Sequence, residues 1–446
     1  MRKPMTRLFA LLLLGAGTLF GVAEASPDVQ SWQTSNGAKV MFVQAPGLPM
    51  VDIRVVFDAG SARDGDHAGL AMFTNALLTE GAGPWDADAL AERLDARGIE
   101  IGSGTARDMA WVNIRSLTEP AILQVAGQAL AEVLANPHLA DADIQRVRGQ
   151  MLVGLRQAEQ DPGTLARRLF YAQLYGKHPY AHDPAGTPHS LALIRGPQLL
   201  AFHQRYYVAR NAVVAIVGDL DRAAAQALAE QVTAKLPAGT HADPLPTPDH
   251  VAPPLARINF PSTQTHVLMG LPGMARHDPD YFALYVGNHV LGGSGLVSLL
   301  SEEVRNKRGL SYSVYSYFAP MRQTGPFVMG VQTKNTQTDE AIKVMRDTLK
   351  RYVTQGPSEA ELTAAKQNLS GGFPLQVDSN KEIVQYIAMM GFYDLPLDWL
   401  DTLVGKIEAV TTAQVRDAFR RRIDPDHLLV VTVGNSGAEA SASAGH

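Results

Sequence analysis

The sequence predicts an α+β protein of two homologous domains, each a mostly antiparallel sheet with helices packed on one face. Three observations lead there: a proline-rich segment divides the chain near its middle, the two parts end alike, and strand-like and helix-like stretches mix without strict alternation. The divider is 237–257, PAGTHADPLPTPDHVAPPLAR, with six prolines in 21 residues. Proline lacks the amide hydrogen that helices and central strands need, so the segment reads as a semi-extended linker. The first part closes on Asn211-Ala-Val-Val-Ala-Ile-Val-Gly218 and the second on His427-Leu-Leu-Val-Val-Thr-Val-Gly434, with the glycines 216 positions apart. Ala71-Met-Phe-Thr-Asn-Ala-Leu-Leu likewise echoes Ala283-Leu-Tyr-Val-Gly-Asn-His-Val at an offset of 212. Two landmarks at nearly one spacing argue for duplication, with domains at 26–236 and 258–436.

In chain order, residues 1–25 have the composition of an export signal. Arg2, Lys3 and Arg7 precede an apolar run from Leu8 to Val22, and Ala23-Glu24-Ala25 is an A-x-A cleavage site. No cysteine stands there to carry a lipid, so a soluble periplasmic protein is expected, off the membrane once the signal is cut. Val51–Phe57 and Met109–Leu117 alternate as strands do. Pro120–Leu134, Ala140–Gln160 and Leu191–Tyr206 carry the helical period. Leu310 to Tyr317 reads as a strand with Leu310, Tyr312 and Val314 on one side, after a helix end at Glu303–Arg308 that Gly309 closes in the left-handed conformation. The tail 437–446 is small and polar and is expected to be disordered.

Composition excludes several chemistries. The chain of 446 residues is 46% hydrophobic and 19% charged, enough apolar material for large cores. Its net charge is −5 and its Lys and Arg are scattered, which argues against nucleic acid. With no cysteine, thiolate chemistry is out. Gly292-Gly293-Ser294-Gly295 lacks the lysine of a phosphate loop and is expected instead to turn beside a peptide cavity, with Gly292, Gly293 and Ser294 touching substrate. His178, His182 and His189 are the nearest approach to a metal cluster, but Pro179 and Pro184 break any helix that would align them.

Tyr175-Gly-Lys-His-Pro-Tyr180, Gly186-Thr187, Phe202-His203, Tyr206-Tyr207, Asn211 and Val217-Gly218-Asp219 together resemble the first half of pitrilysin/insulinase metallopeptidases. Asn36-Gly37 and Asp58-Ala-Gly-Ser-Ala-Arg63 are also similar to that family, as are Leu291-Gly-Gly-Ser294, Glu303-Val-Arg305 and Arg308-Gly-Leu-Ser-Tyr-Ser313 in the second half. Active members hold zinc through H-x-x-E-H on a helix, two histidines on one face and a glutamate as general base, plus a glutamate about 77 residues later. The matching positions here are Met72, Asn75, Ala76 and Val153. Met, Ala and Val are not zinc ligands of that kind and Asn is not a base. None of the 13 histidines falls in H-x-x-E-H or H-E-x-x-H.

The resemblance further implies an Arg and a Tyr facing the zinc site, here Arg305 and Tyr312, able to donate to a scissile carbonyl and its oxyanion. Loss of the metal set with retention of that pair implies a non-catalytic subunit. Such a chain carries no cofactor of its own and pairs with a zinc-bearing homologue that cleaves peptides. The alternative is a metal-free peptide-binding or scaffold protein of the same fold.

Overall fold

The computed structural model describes residues 27–435. The export-signal and tail readings therefore lie outside the described residues. The first half contains β1 (Gln30–Gln33), β2 (Lys39–Gln44), β3 (Met50–Phe57), a small hairpin of β4 (Gly81–Ala82) and β5 (Trp85–Asp86), then β6 (Glu100–Thr105), β7 (Ala110–Leu117) and β8 (Ala212–Gly218). The second contains β9 (Leu255–Asn259), β10 (Gln264–Met274), β11 (Val314–Phe318), β12 (Gly325–Lys334) and β13 (Leu429–Gly434).

The sheets run β1-β2-β8-β3-β7-β6 and β11-β12-β10-β13-β9. Set β1 aside and they share one plan. Its one parallel pair is β2/β8 in the first and β9/β13 in the second, and every other neighbour is antiparallel. The repeat read from Gly218 and Gly434 is thus a repeat of topology: both close the strand that enters the middle of its sheet last.

Those late strands are apolar throughout for a reason. Every residue of β8 and of β13 is buried, so neither strand has a solvent face to alternate toward. The expected layer of helices covers one face. On the first sheet it includes Leu70–Leu77, Pro120–Ala135 and Asp141–Ala158, around Phe42, Ile53, Val55 and Ile216. The other face of each sheet is covered by a helix from the opposite half. Pro162–Tyr175 lies on β13, β10 and β9, packing Ala166, Phe170 and Leu174 with Leu429, Val431 and Val433. Asn380–Phe392 lies on β8, β3 and β2, where Ile387, Ala388 and Phe392 share a core with Met41, Val213 and Ala215. Glycines allow these crossings. A Cβ at Gly391 would stand 2.5 Å from Val213 Cγ1, and one at Gly270 would stand 2.8 Å from Phe170 Cζ.

The turns of β6–β7 and β11–β12 meet at a buried polar centre. The Asp108 carboxylate accepts hydrogen bonds from Tyr180 Oη (2.5 Å), Tyr393 Oη (2.8 Å) and the Arg322 amide (2.7 Å), and the Gln323 amide donates to Tyr180 Oη at 3.0 Å. One acid from the first half thereby satisfies donors from both. Burial and the adjacent carboxylate push both phenols well above the usual tyrosine range, which keeps them neutral donors.

Three expectations need correction. Leu191–Tyr206 is two helices, Pro188–Leu193 and Gly196–Tyr206, separated by extended Ile194 and Arg195. Pro197 has no amide hydrogen and fits only the first turn of a helix, so a new one starts there. Residues 255–257 of the linker belong to β9, an edge strand that pairs only with β13. The rest of the linker is held in place: the His178 ring bonds the Pro246 carbonyl (2.8 Å), Gln323 donates to that of Leu245 (2.8 Å), and Leu245 is buried. Third, residues 310–313 are not strand, as described below. No helix among the described residues is long and apolar enough to cross a membrane.

Replacing Asp108 by Ala leaves buried donors from both halves unpaired and is expected to cost about 3 kcal/mol. Amide exchange should then rise in β8 and β13 together. Exchange rising in one sheet alone would show that the halves unfold independently.

Candidate functional site

The helix Leu70–Leu77 begins at Gly69, whose φ of 95° suits only a residue without a Cβ. Its first turn is capped from a distance: the buried Asp64 carboxylate accepts the amides of Gly69 (2.8 Å) and Ala71 (2.7 Å). It packs against Asp141–Ala158, the helix that carries Val153. Met72 and Ala76, four apart, are half-buried and share one face, as ligands would. Asn75 points into the core instead. It is buried, and its amide donates to the Trp111 carbonyl (3.2 Å) and to Tyr207 Oη (3.3 Å). The residue at the position of the general base is therefore a structural tie between helix and sheet. Val153 is 43% exposed and offers nothing to a cation.

The three histidines do not converge. His178 Nε2 is bonded to Pro246 O and its Nδ1 accepts the Tyr180 amide (3.1 Å). His182 Nε2 lies 2.8 Å from the Ser61 carbonyl and 3.2 Å from Asp64 Oδ2, and His189 is exposed. Among the described residues no three His, Cys, Asp or Glu come together as a metal site.

Arg305 and Tyr312 do come together. Both line a cavity of about 320 Å³ on the second sheet, with Gln264, Gln332 and Lys334. The turn between them is built by three devices. The helical segment Ser301–Asn306 is wound wider than an α-helix and ends two residues short of the expected Arg308; a turn then leads to Gly309, whose φ of 62° is the left-handed conformation expected of it. Glu303, its side chain 12% exposed, binds Arg308 (2.7 Å), Arg351 (2.9 Å) and Lys307 (3.1 Å). Ser311 then breaks the strand: its hydroxyl donates to the Gln332 carbonyl (2.6 Å) and accepts the Ser313 amide (3.0 Å). That local bond competes with the ladder, so β11 starts only at Val314. Leu310 and Val314 turn inward while Tyr312 is 87% exposed, which corrects the reading that put the three on one side.

Gly292, Gly293 and Ser294 do not line this cavity. Gly292 is buried against β11, where a Cβ would meet Ser316 Oγ at 2.4 Å. Its role is close packing; Gly293 is exposed and Ser294 half-buried beyond it. Sequence reasoning missed Glu303 as the clamp, although Lys307 and Arg308, four and five residues on, were a visible signal. Gln264, Gln332 and Lys334 carried none, because only strand pairing brings β10 and β12 to the turn.

Comparison with known proteins places the chain in a family. Residues 39–187 match the model of the insulinase family (peptidase family M16), and 194–369 match the peptidase M16 inactive domain. The crystal structure of a peptidase M16 inactive domain from Pseudomonas fluorescens is 40% identical, covering 91% of this chain and 97% of its own, with a TM-score of 0.88. A non-peptidase homolog from Helicobacter pylori is 26% identical over 441 residues, 97% of this chain and 99% of its own. An uncharacterised zinc protease of Mycobacterium tuberculosis is 29% identical over 410 residues, 91% of this chain and 93% of its own.

The three cations around Glu303 hold its carboxyl down to about 2, with the Arg308 hydrogen bond the largest influence. A depressed pKa gives stability that is complete above the unfolded value of about 4.3 and is lost as pH falls toward 2. Glu303→Gln should therefore be less stable than the parent near neutral pH. Chemical denaturation should show the gap closing between about pH 5 and pH 2. A gap independent of pH would mean that the clamp is not ionic.

Proposed function

The chain belongs to the insulinase family, peptidase family M16, and from that premise we propose that it is the metal-free subunit of a two-chain periplasmic peptidase. One observation carries this reading. The residues at all three ligand positions and at the base position cannot serve a zinc ion, while the turn presenting Arg305 and Tyr312 is kept and braced by a buried acid.

A guanidinium and a phenol lining one cavity are donors without a nucleophile. They can bind a peptide carbonyl and the oxyanion that develops from it, but they cannot activate water. Chemistry at that site needs a metal-bound hydroxide brought by another chain. The partner is a homologue with an intact H-x-x-E-H, and the substrates are peptides extended enough to enter between the two. The export-type sequence at 1–25 supports the periplasm as the place of assembly.

Purified alone, the chain is expected to hold no stoichiometric zinc and to cleave no peptide; one zinc per chain surviving mild chelation would end the proposal. Assembled with its partner, Tyr312→Phe should lower kcat by about 10²- to 10³-fold, the usual loss for one oxyanion donor, and leave the complex intact. Arg305→Ala should do likewise. A rise in KM with kcat unchanged would assign the pair to ground-state binding. Unchanged kinetics in both variants would leave the chain a role only as a wall of the chamber.

A further inference from the structure

The second half carries a cleft of its own. Helix Tyr281–Asn288 repeats Leu70–Leu77: with β1 set aside, both follow the second strand of their half, and both are eight residues long. Each packs on a later helix, Glu359–Gly372 in the second half and Asp141–Ala158 in the first. Between the second pair, and closed by Asn380–Phe392 and Trp399–Glu408, lies a cavity of about 420 Å³.

Six aromatic rings line it. Tyr281 and Tyr285 stack with centroids 6.0 Å apart, and Tyr386 lies 6.4 Å from both Trp399 and Phe373. Flat apolar walls of this size accept one large side chain of the same kind. The cavity also holds one cation, Arg276. Its Nη1 donates to Tyr281 Oη (3.3 Å) and its Nη2 to the Pro320 carbonyl (3.2 Å), while Nε is buried without a partner. Arg276 makes no ion pair with any carboxylate among the described residues. The acid on the same wall, Glu382, is already bonded to the Ser379 hydroxyl at 2.6 Å. A half-buried arginine that lines a cavity and has only neutral hydrogen-bond partners is matched by an anionic acceptor.

We propose that this cavity is a binding site for a carboxylate attached to an aromatic ring, such as the C-terminal phenylalanine or tyrosine of a peptide. The ring fills the space between Tyr285, Tyr386 and Trp399, and the carboxylate pairs with Arg276. The site is independent of the zinc-bearing partner and can be tested on the isolated chain.

Titration calorimetry of the full chain with N-acetyl-phenylalanine and with its amide distinguishes the cases. The acid should bind saturably at millimolar concentration or below, about tenfold or more tighter than the amide, as expected for a charged hydrogen bond. Arg276→Gln should erase that preference, and Met389→Trp, which fills the cavity, should abolish binding of both. Should Arg276→Gln fail to fold, the acid-to-amide ratio on the parent chain, read also by quenching of Trp399, still decides. No saturable binding, equal affinity for acid and amide, or binding unaltered by Met389→Trp would each overturn the assignment.

Discussion

Each sheet of this protein buries both of its faces, and its own half supplies helices for only one. The exchange of Pro162–Tyr175 for Asn380–Phe392 resolves that shortage. Without it, the backs of β8 and β13 would expose rows of Val, Ala and Leu to water. The two halves are duplicates in topology, yet neither completes a core alone. Asp108 fixes the register of the exchange, because a carboxylate that accepts three hydrogen bonds tolerates little displacement of the turns that supply them.

On that frame the two halves present different side chains. In the first half the helix that could carry ligands is intact and still turns Met72 and Ala76 outward, but Asn75 has been absorbed into the core. In the second half the braced turn keeps a charged and a phenolic donor at one cavity. Glu303, paired with three cations, holds that turn.

Much of this could be read from residues. The apolar runs ending at Gly218 and Gly434, the proline-rich divider, the glycine after Arg308 and the family resemblance all depend on local patterns, and local patterns survive in sequence. The positions that the resemblance assigns to a metal set, Met72, Asn75 and Ala76 on one helix and Val153 on another, could be named for the same reason. The exchanged helices were not legible. An amphipathic helix shows which of its faces is apolar, not which sheet that face will cover. Nor was the fate of Tyr312, because the alternation of Leu310, Tyr312 and Val314 matches a strand and only the Ser311 hydroxyl overrides it. Asp108 looked like an ordinary turn residue until Tyr180 and Tyr393, 213 positions apart, were brought to it.

The exchanged helices also bear on what the proline-rich strap at 237–254 has to do, because it joins two halves that each cover a sheet face of the other. Protease cleavage at its exposed residues near Val251 would leave two chains that stay interlocked.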